Sequence, residues 1–290
     1  MGKGVVVTGI ILSVIGIGIA GACAAGAYNE FKKYDKYKTG EITLSDAKKI
    51  TIEASAGTVN VRKSDTTTSY VKYNVLEYYN VNYDKEDNEL KMKTKWFWGL
   101  IPFSWGASNK STVDVYLAGD DYDAYLELNA GNFNIVDEFV FDTLTVDVSA
   151  GDFVIKENID VNNDATFKLS AGDIKIEKDV VVGQTATVKV SAGDIDINSL
   201  VSKTTYVKVS AGDVDIKELE SDDITFKISA GDITMNINGD KADYVIDIDE
   251  SAGSCYIDGN KVKDGYHKDG GAKKLDGKLS AGKATITFAD

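Results

Sequence analysis

Residues 149–176 read SAGDFVIKENIDVNNDATFKLSAGDIKI. Two copies of Ser-Ala-Gly-Asp enclose one complete unit of the chain. The tetrapeptide occurs five times, at 149–152, 170–173, 191–194, 210–213 and 229–232. Degenerate copies place glycines at Gly57, Gly131, Gly253 and Gly282. From Gly131 through Gly151, Gly172, Gly193, Gly212 and Gly231 to Gly253 the steps are 20, 21, 21, 19, 19 and 22 residues. A fixed period of this size is the signature of a stacked array.

The apolar pattern around each glycine gives the geometry. Five and three residues before it stand Leu126/Leu128, Val146/Val148, Phe167/Leu169, Val188/Val190, Val207/Val209 and Phe226/Ile228. Two and four residues after it stand Phe133/Ile135, Phe153/Ile155, Ile174/Ile176, Ile195/Ile197, Val214/Ile216 and Ile233/Met235. Each side alternates with period two, the mark of a half-buried strand. The parity changes across the glycine, so a turn or bulge at Ala-Gly-Asp keeps both strands facing inward. A unit of this length cannot bury its own apolar face. It must stack on its neighbours, at ~4.8 Å per layer.

The expected fold is all-β: a β-solenoid over residues 41–290. It is a single-stranded, β-helix-like stack of eight or nine layers, each a strand, a tight corner, a strand and a looser return such as 177–184. Ala before each glycine is expected at a crowded inner corner, and the serines as a hydroxyl ladder. An antiparallel insertion at about 65–117 is expected to cap one end, with strands at 69–76, 89–95 and 112–117. Residues 258–278 read as a surface loop, and Ile286 and Phe288 as the closing layer.

A short tail, residues 1–4, precedes an uncharged run, VVVTGIILSVIGIGIAGACAAGA, at 5–27. As a helix it spans roughly 34 Å, enough for a ~30 Å hydrocarbon core. It reads as one N-terminal transmembrane helix, a retained single-pass anchor, with 28–40 as linker. Ala25-Gly26-Ala27 also has the form of a signal-peptide cleavage site, and Ala20-Gly21-Ala22-Cys23 partly resembles a lipobox. Lys32, Lys33, Lys36 and Lys38 after the run favour a cytoplasmic domain by the positive-inside rule. A signal-anchor reading puts the repeat domain outside, on the extracellular side of the cell membrane, and is preferred.

Composition narrows the function. The 290 residues carry 32 basic and 46 acidic side chains, a formal charge of −14. Arg62 is the single arginine. Such a chain is poorly suited to nucleic acid, which needs clustered positive charge. One His, one Pro and two Cys leave little for triads, zinc sites or disulfide frameworks. No catalytic, cofactor-binding or metal-binding residue is assigned, and no enzyme activity is expected.

Two features remain as candidate sites. Asp152, Asp173, Asp194, Asp213 and Asp232 form an acidic ladder if the layers stack in register. Calcium would use such oxygen ligands, but Asp in a corner commonly bonds its own backbone. The stretch 96–105 holds Trp96, Phe97, Trp98 and Trp105, either an exposed contact for membrane or partner or a cap on the stack. Cys255 falls at an inward position of the repeat, and His267 lies in the polar segment 258–278, where it is expected to be solvated.

The N-terminal membrane segment, the aromatic insertion and the Ser-Ala-Gly-Asp-hydrophobic-x-hydrophobic units together resemble the bacterial putative-adhesin family of β-strand-repeat domains of unknown function, with LiaG-like and YvlB-like members. Residues 111–135, STVDVYLAGDDYDAYLELNAGNFNI, resemble its passage into the repeats, except that Ala118 stands where Pro is expected. The resemblance covers about 41–290. It implies a β-solenoid, a link to envelope-stress systems and no catalytic motif.

Overall fold

The alternation around each corner glycine is realised as parallel ladders. The computed structural model describes residues 36–46, 48–77, 79–94 and 111–289. The 5–27 segment and the tryptophans at 96–105 lie outside the described residues.

The first half of the described chain holds β1 (Tyr37–Thr43), β2 (Lys49–Ala54), β3 (Thr58–Lys63), β4 (Tyr70–Leu76), β5 (Tyr79–Asp84), β6 (Glu89–Thr94), β7 (Thr112–Leu117), β8 (Tyr122–Leu128), β9 (Asn132–Ile135), β10 (Phe139–Val148) and β11 (Asp152–Ile155). Then follow β12 (Ile159–Val161), β13 (Ala165–Leu169), β14 (Asp173–Val190), β15 (Asp194–Val209), β16 (Asp213–Ile228) and β17 (Asp232–Asn238). The chain closes with β18 (Tyr244–Glu250), β19 (Gly253–Ile257), β20 (Asn260–Lys261), β21 (Tyr266–Lys268), β22 (Lys273–Leu279) and β23 (Gly282–Ala289).

Strands before the corner stack on one face: β6, β2, β8, β10, β13, then the later halves of β14, β15 and β16, then β22 and β18. Strands after the corner stack on the other: β7, β3, β9, β11, the early halves of β14 to β16, then β17, β23 and β19. A third, short ladder joins Phe139–Phe141 of β10 to β12 and the middles of β14, β15 and β16. The inward positions read from the sequence between Leu126 and Met235 are all buried, none more than 2% exposed. They form one continuous core.

Several parts of the sequence reading need correction. The return at 177–184 is strand, continuous within β14, and its counterpart 218–222 likewise lies within β16. Val180, Val182 and Leu219 point inward there, which gives each layer a third buried side. The insertion is only partly antiparallel: β6 and β7 pair parallel with β2 and β3 and extend both faces of the stack by one layer. The antiparallel strands are β5 on β6, β4 on β7 and β1 on β4, and they cap that end, covering edges that would otherwise be open to other chains. The strand β1 starts at Tyr37, within the stretch read as linker, so a fragment cut at Glu41 would lose half of it.

A further correction concerns layer order. Gly253 does not follow Gly231 in space. Strands β22 and β23 pair with β16 and β17, and β18 and β19 stack beyond them. The Gly282 layer, with Ile286 and Phe288, therefore lies between the Gly231 and Gly253 layers, and much of 258–278 is strand. Gly277 permits this. A Cβ there would meet Phe226 Cζ at 2.2 Å on one side and Ile248 Cδ1 at 2.7 Å on the other. The antiparallel pieces β20 and β21 flank the Gly253 layer. Among the described residues the stack from β6/β7 to the Gly253 layer has ten layers rather than eight or nine, because β6 and β7 of the insertion join it.

Candidate functional site

The repeated corner is set by backbone geometry. At Gly172 φ is +98°, and a Cβ would stand 2.1 Å from the carbonyl oxygen of Gly151 in the layer before. Only glycine accepts both that φ and that approach. The carbonyl of Gly151 accepts from Asp173 N at 3.1 Å, that of Gly172 from Asp194 N at 3.2 Å, and that of Gly193 from Asp213 N at 3.2 Å. Gly253 shares this register with Gly282 but is not among the positive-φ glycines.

The corner faces outward. Ala171, Ala192, Ala211 and Ala230 are exposed rather than packed inside, because the turn carries the residue before Gly out of the strand alternation. Four of the five serines are exposed. Between layers the serines bond through the backbone: Ser170 N donates to Val148 O at 2.7 Å and Ser191 N to Leu169 O at 2.8 Å.

Asp152, Asp173, Asp194, Asp213 and Asp232 pair in direct register and are all exposed. Neighbours one layer apart repel by about 0.9 kcal/mol in water before salt screening, a cost an exposed row can bear. Asp213 Oδ1 accepts from Asp232 N at 3.1 Å. The ladder runs from Asn132 at one end to Lys283 at the other. Among the described residues no group of three His, Cys, Asp or Glu side chains is placed to hold a metal ion.

A second ladder escaped the sequence reading. The residue four before each corner glycine points outward on the other face. In spatial order this column is Glu53, Glu127, Asp147, Lys168, Lys189, Lys208, Lys227, Lys278 and Asp249, with Lys91 added before Glu53 by its register. Carboxylates pair with the lysines at its sign changes: Lys91 with Glu53 at 3.7 Å, Lys168 with Asp147 at 3.4 Å, Lys278 with Asp249 at 3.7 Å. Between them Lys189, Lys208 and Lys227 are exposed and, among the described residues, in no ion pair. Lys227 Nζ lies 5.7 Å from the Tyr206 ring centroid. The signal was a Lys four residues before Gly172, Gly193, Gly212, Gly231 and Gly282. Lysines on a strand's polar side read singly as solvated residues, and only register makes them a row.

Other chemistry is dispersed. A cleft of about 420 Å³ on the third side is lined by Lys63, Asp120, Phe139, Asn158, Asp179 and Val181. Burial opposes ionisation of Asp120, but the Lys63 ammonium and the Val140 N–H hold its carboxyl below the usual range. Val181 is 42% exposed. Cys255 is buried, and burial, with the Glu250 carboxylate, pushes its thiol up to about 12. His267 is exposed and bonds Asp247 at 2.6 Å and Asp269 at 3.2 Å, which raise its pKa.

A family model described as Toastrack DUF4097 matches residues 47–286. The chain belongs to this Toastrack family. The Toastrack match takes in every corner glycine, the aspartate ladder and the lysine column. A crystal structure of a "putative adhesin" from Parabacteroides merdae ATCC 43184 is 13% identical, with 88% of this chain and 97% of that chain covered and a TM-score of 0.47. A "putative adhesin" from Bacteroides fragilis NCTC 9343 is 14% identical over 88% of this chain and 98% of that one, with a TM-score of 0.43. A "putative lipid binding protein" from Parabacteroides distasonis ATCC 8503 is 14% identical over 88% and 98%, with a TM-score of 0.39. No curated protein matches the chain.

Proposed function

We propose that this Toastrack chain is a non-enzymatic, membrane-anchored scaffold of the bacterial cell envelope, offering an acidic edge to a protein or wall component. The observation that carries the proposal is the in-register row of five exposed aspartates on one uninterrupted edge. A rigid ladder of this kind repeats one charge at a fixed interval, which suits recognition better than catalysis. The uncharged run at 5–27 supplies the anchor.

A second reading makes the chain a cytoplasm-facing element of an envelope-stress signalling system. It is favoured by Lys32, Lys33, Lys36 and Lys38 directly after the run. Topology separates the two. A reporter active only outside the cytoplasm, fused after Asp290, is expected to be active. Activity confined to a cytoplasmic reporter would replace the first reading with the second.

A further inference from the structure

We infer that the lysine column is a docking strip for a linear, phosphate-bearing polyanion lying parallel to the stack. The inference concerns a different face from the aspartate edge and stands whichever way the chain is oriented. Lys168, Lys189, Lys208, Lys227 and Lys278 occupy one register position in five consecutive layers. At ~4.8 Å per layer the row is about 19 Å long. An evenly spaced row of point charges of that length fits a charged polymer better than a compact anion.

The flanks suit phosphate. Two residues before the lysines, Thr166, Thr187, Tyr206 and Thr225 pair in register; two residues after them, Ser170, Ser191, Ser210 and Ser229 each donate their backbone N–H to the layer before. Hydroxyl groups on both sides supply donors alongside the ammonium charges. From the Lys168 layer to the Lys227 layer these three columns hold no carboxylate. Acid returns only at the ends, as Asp147 beside Lys168, and as Asp276 and Asp249 around Lys278. The strip is therefore a bounded basic segment on an acidic molecule. Screening over ~8 Å at physiological salt lets a ligand on it respond mainly to the nearest columns.

A second copy of the chain is the competing occupant, since its aspartate ladder has the same layer spacing. The polymer is favoured because it delivers a continuous row of charge without bringing up a second body of net charge −14.

The test uses the full chain in a neutral detergent and fluorescently labelled long-chain inorganic polyphosphate, with anisotropy followed against salt. Binding is expected with a log–log salt slope of about −4, from five lysine contacts. The triple variant Lys189→Gln, Lys208→Gln, Lys227→Gln should lose at least about tenfold in affinity at low salt, with its slope reduced to about −1.5. The control Lys203→Gln, Lys217→Gln, Lys263→Gln removes the same charge from exposed positions off the strip and should keep the full slope. Circular dichroism verifies that both variants are folded. Absence of polyphosphate binding at 50 mM salt, or equal losses in the two variants, would overturn the inference. So would sedimentation showing that the unmodified chain self-associates and the strip variant alone does not, which would assign the strip to a second copy.

Discussion

Replacing Gly193 by Ala perturbs one of the tightly constrained corners of the stack. Its φ is +99°, and the new methyl would stand 2.1 Å from the carbonyl oxygen of Gly172. That oxygen accepts the interlayer bond from Asp194 N at 3.2 Å, so the clash cannot be relieved without moving the layer. Backbone strain of ~1–2 kcal/mol and a lost interlayer bond of ~1 kcal/mol give about 2–3 kcal/mol in all. Gly259 is the internal reference. Its φ is also positive, +75°, but a Cβ there meets nothing within 4 Å. Gly259→Ala should therefore carry only the backbone cost, ~1–2 kcal/mol. Thermal unfolding followed by far-ultraviolet circular dichroism reads both. Gly193→Ala should lower the midpoint by roughly 4–12 °C, at 2–4 °C per kcal/mol for a domain of this size, and Gly259→Ala by distinctly less. Equal shifts would refute the claim that corners lie carbonyl to glycine along the stack.

The remaining expectations follow from particular contacts. Phe226 is fully buried and fills the space left by Gly277; Phe226→Ala should cost ~3–5 kcal/mol, read as a lower denaturant midpoint. Asp194 stands between Asp173 and Asp213, so Asp194→Asn should stabilise by ~0.5–1 kcal/mol at low salt, an effect that fades as salt rises; destabilisation at every salt concentration would show that the carboxylate is needed. In a Cys23→Ser background the Cys255 thiol, buried and raised to about 12, should ignore a thiol reagent at pH 8 in the native protein and react in denaturant. The pKa of His267 is raised above 6.5 by Asp247 and Asp269. Its pairing stabilises fully below the unfolded value and is lost as pH rises through the folded one. The stability difference between the parent and His267→Gln should therefore shrink as pH climbs above 6.5, and a pH-independent difference would count against the pairing.

What the sequence disclosed was whatever each layer repeats within itself. The change of parity across Gly172 identifies Phe167, Leu169, Ile174 and Ile176 as core, and all four are buried. What it concealed depends on neighbours one layer away. The run 177–184, with its charged residues and Gly183, has the composition of a loop, yet Val180 pairs between Ile159 and Leu200 and continues the strand. The exchange of the last two layers is hidden for the same reason. It rests on Gly277 leaving room for Phe226 and Ile248, a fit between residues far apart in the chain. The lysine column is visible in the sequence only once the register is known. The aspartates were legible because they belong to the repeated tetrapeptide itself.

Pulsed electron-paramagnetic-resonance distances test the stack most directly, with one spin label at Thr58 and a second moved along the corner, in the Cys23→Ser background. Successive partners at Asp173, Asp194, Asp213, Asp232 and Lys283 lie three to seven layers away. The distances should climb in even steps of ~4.8 Å, from about 14 to about 34 Å. A label at Ser254 should lie one step beyond Lys283 although it comes earlier in the chain. Uneven steps, or a Ser254 distance shorter than that of Lys283, would contradict the in-register stack and its exchanged final layers.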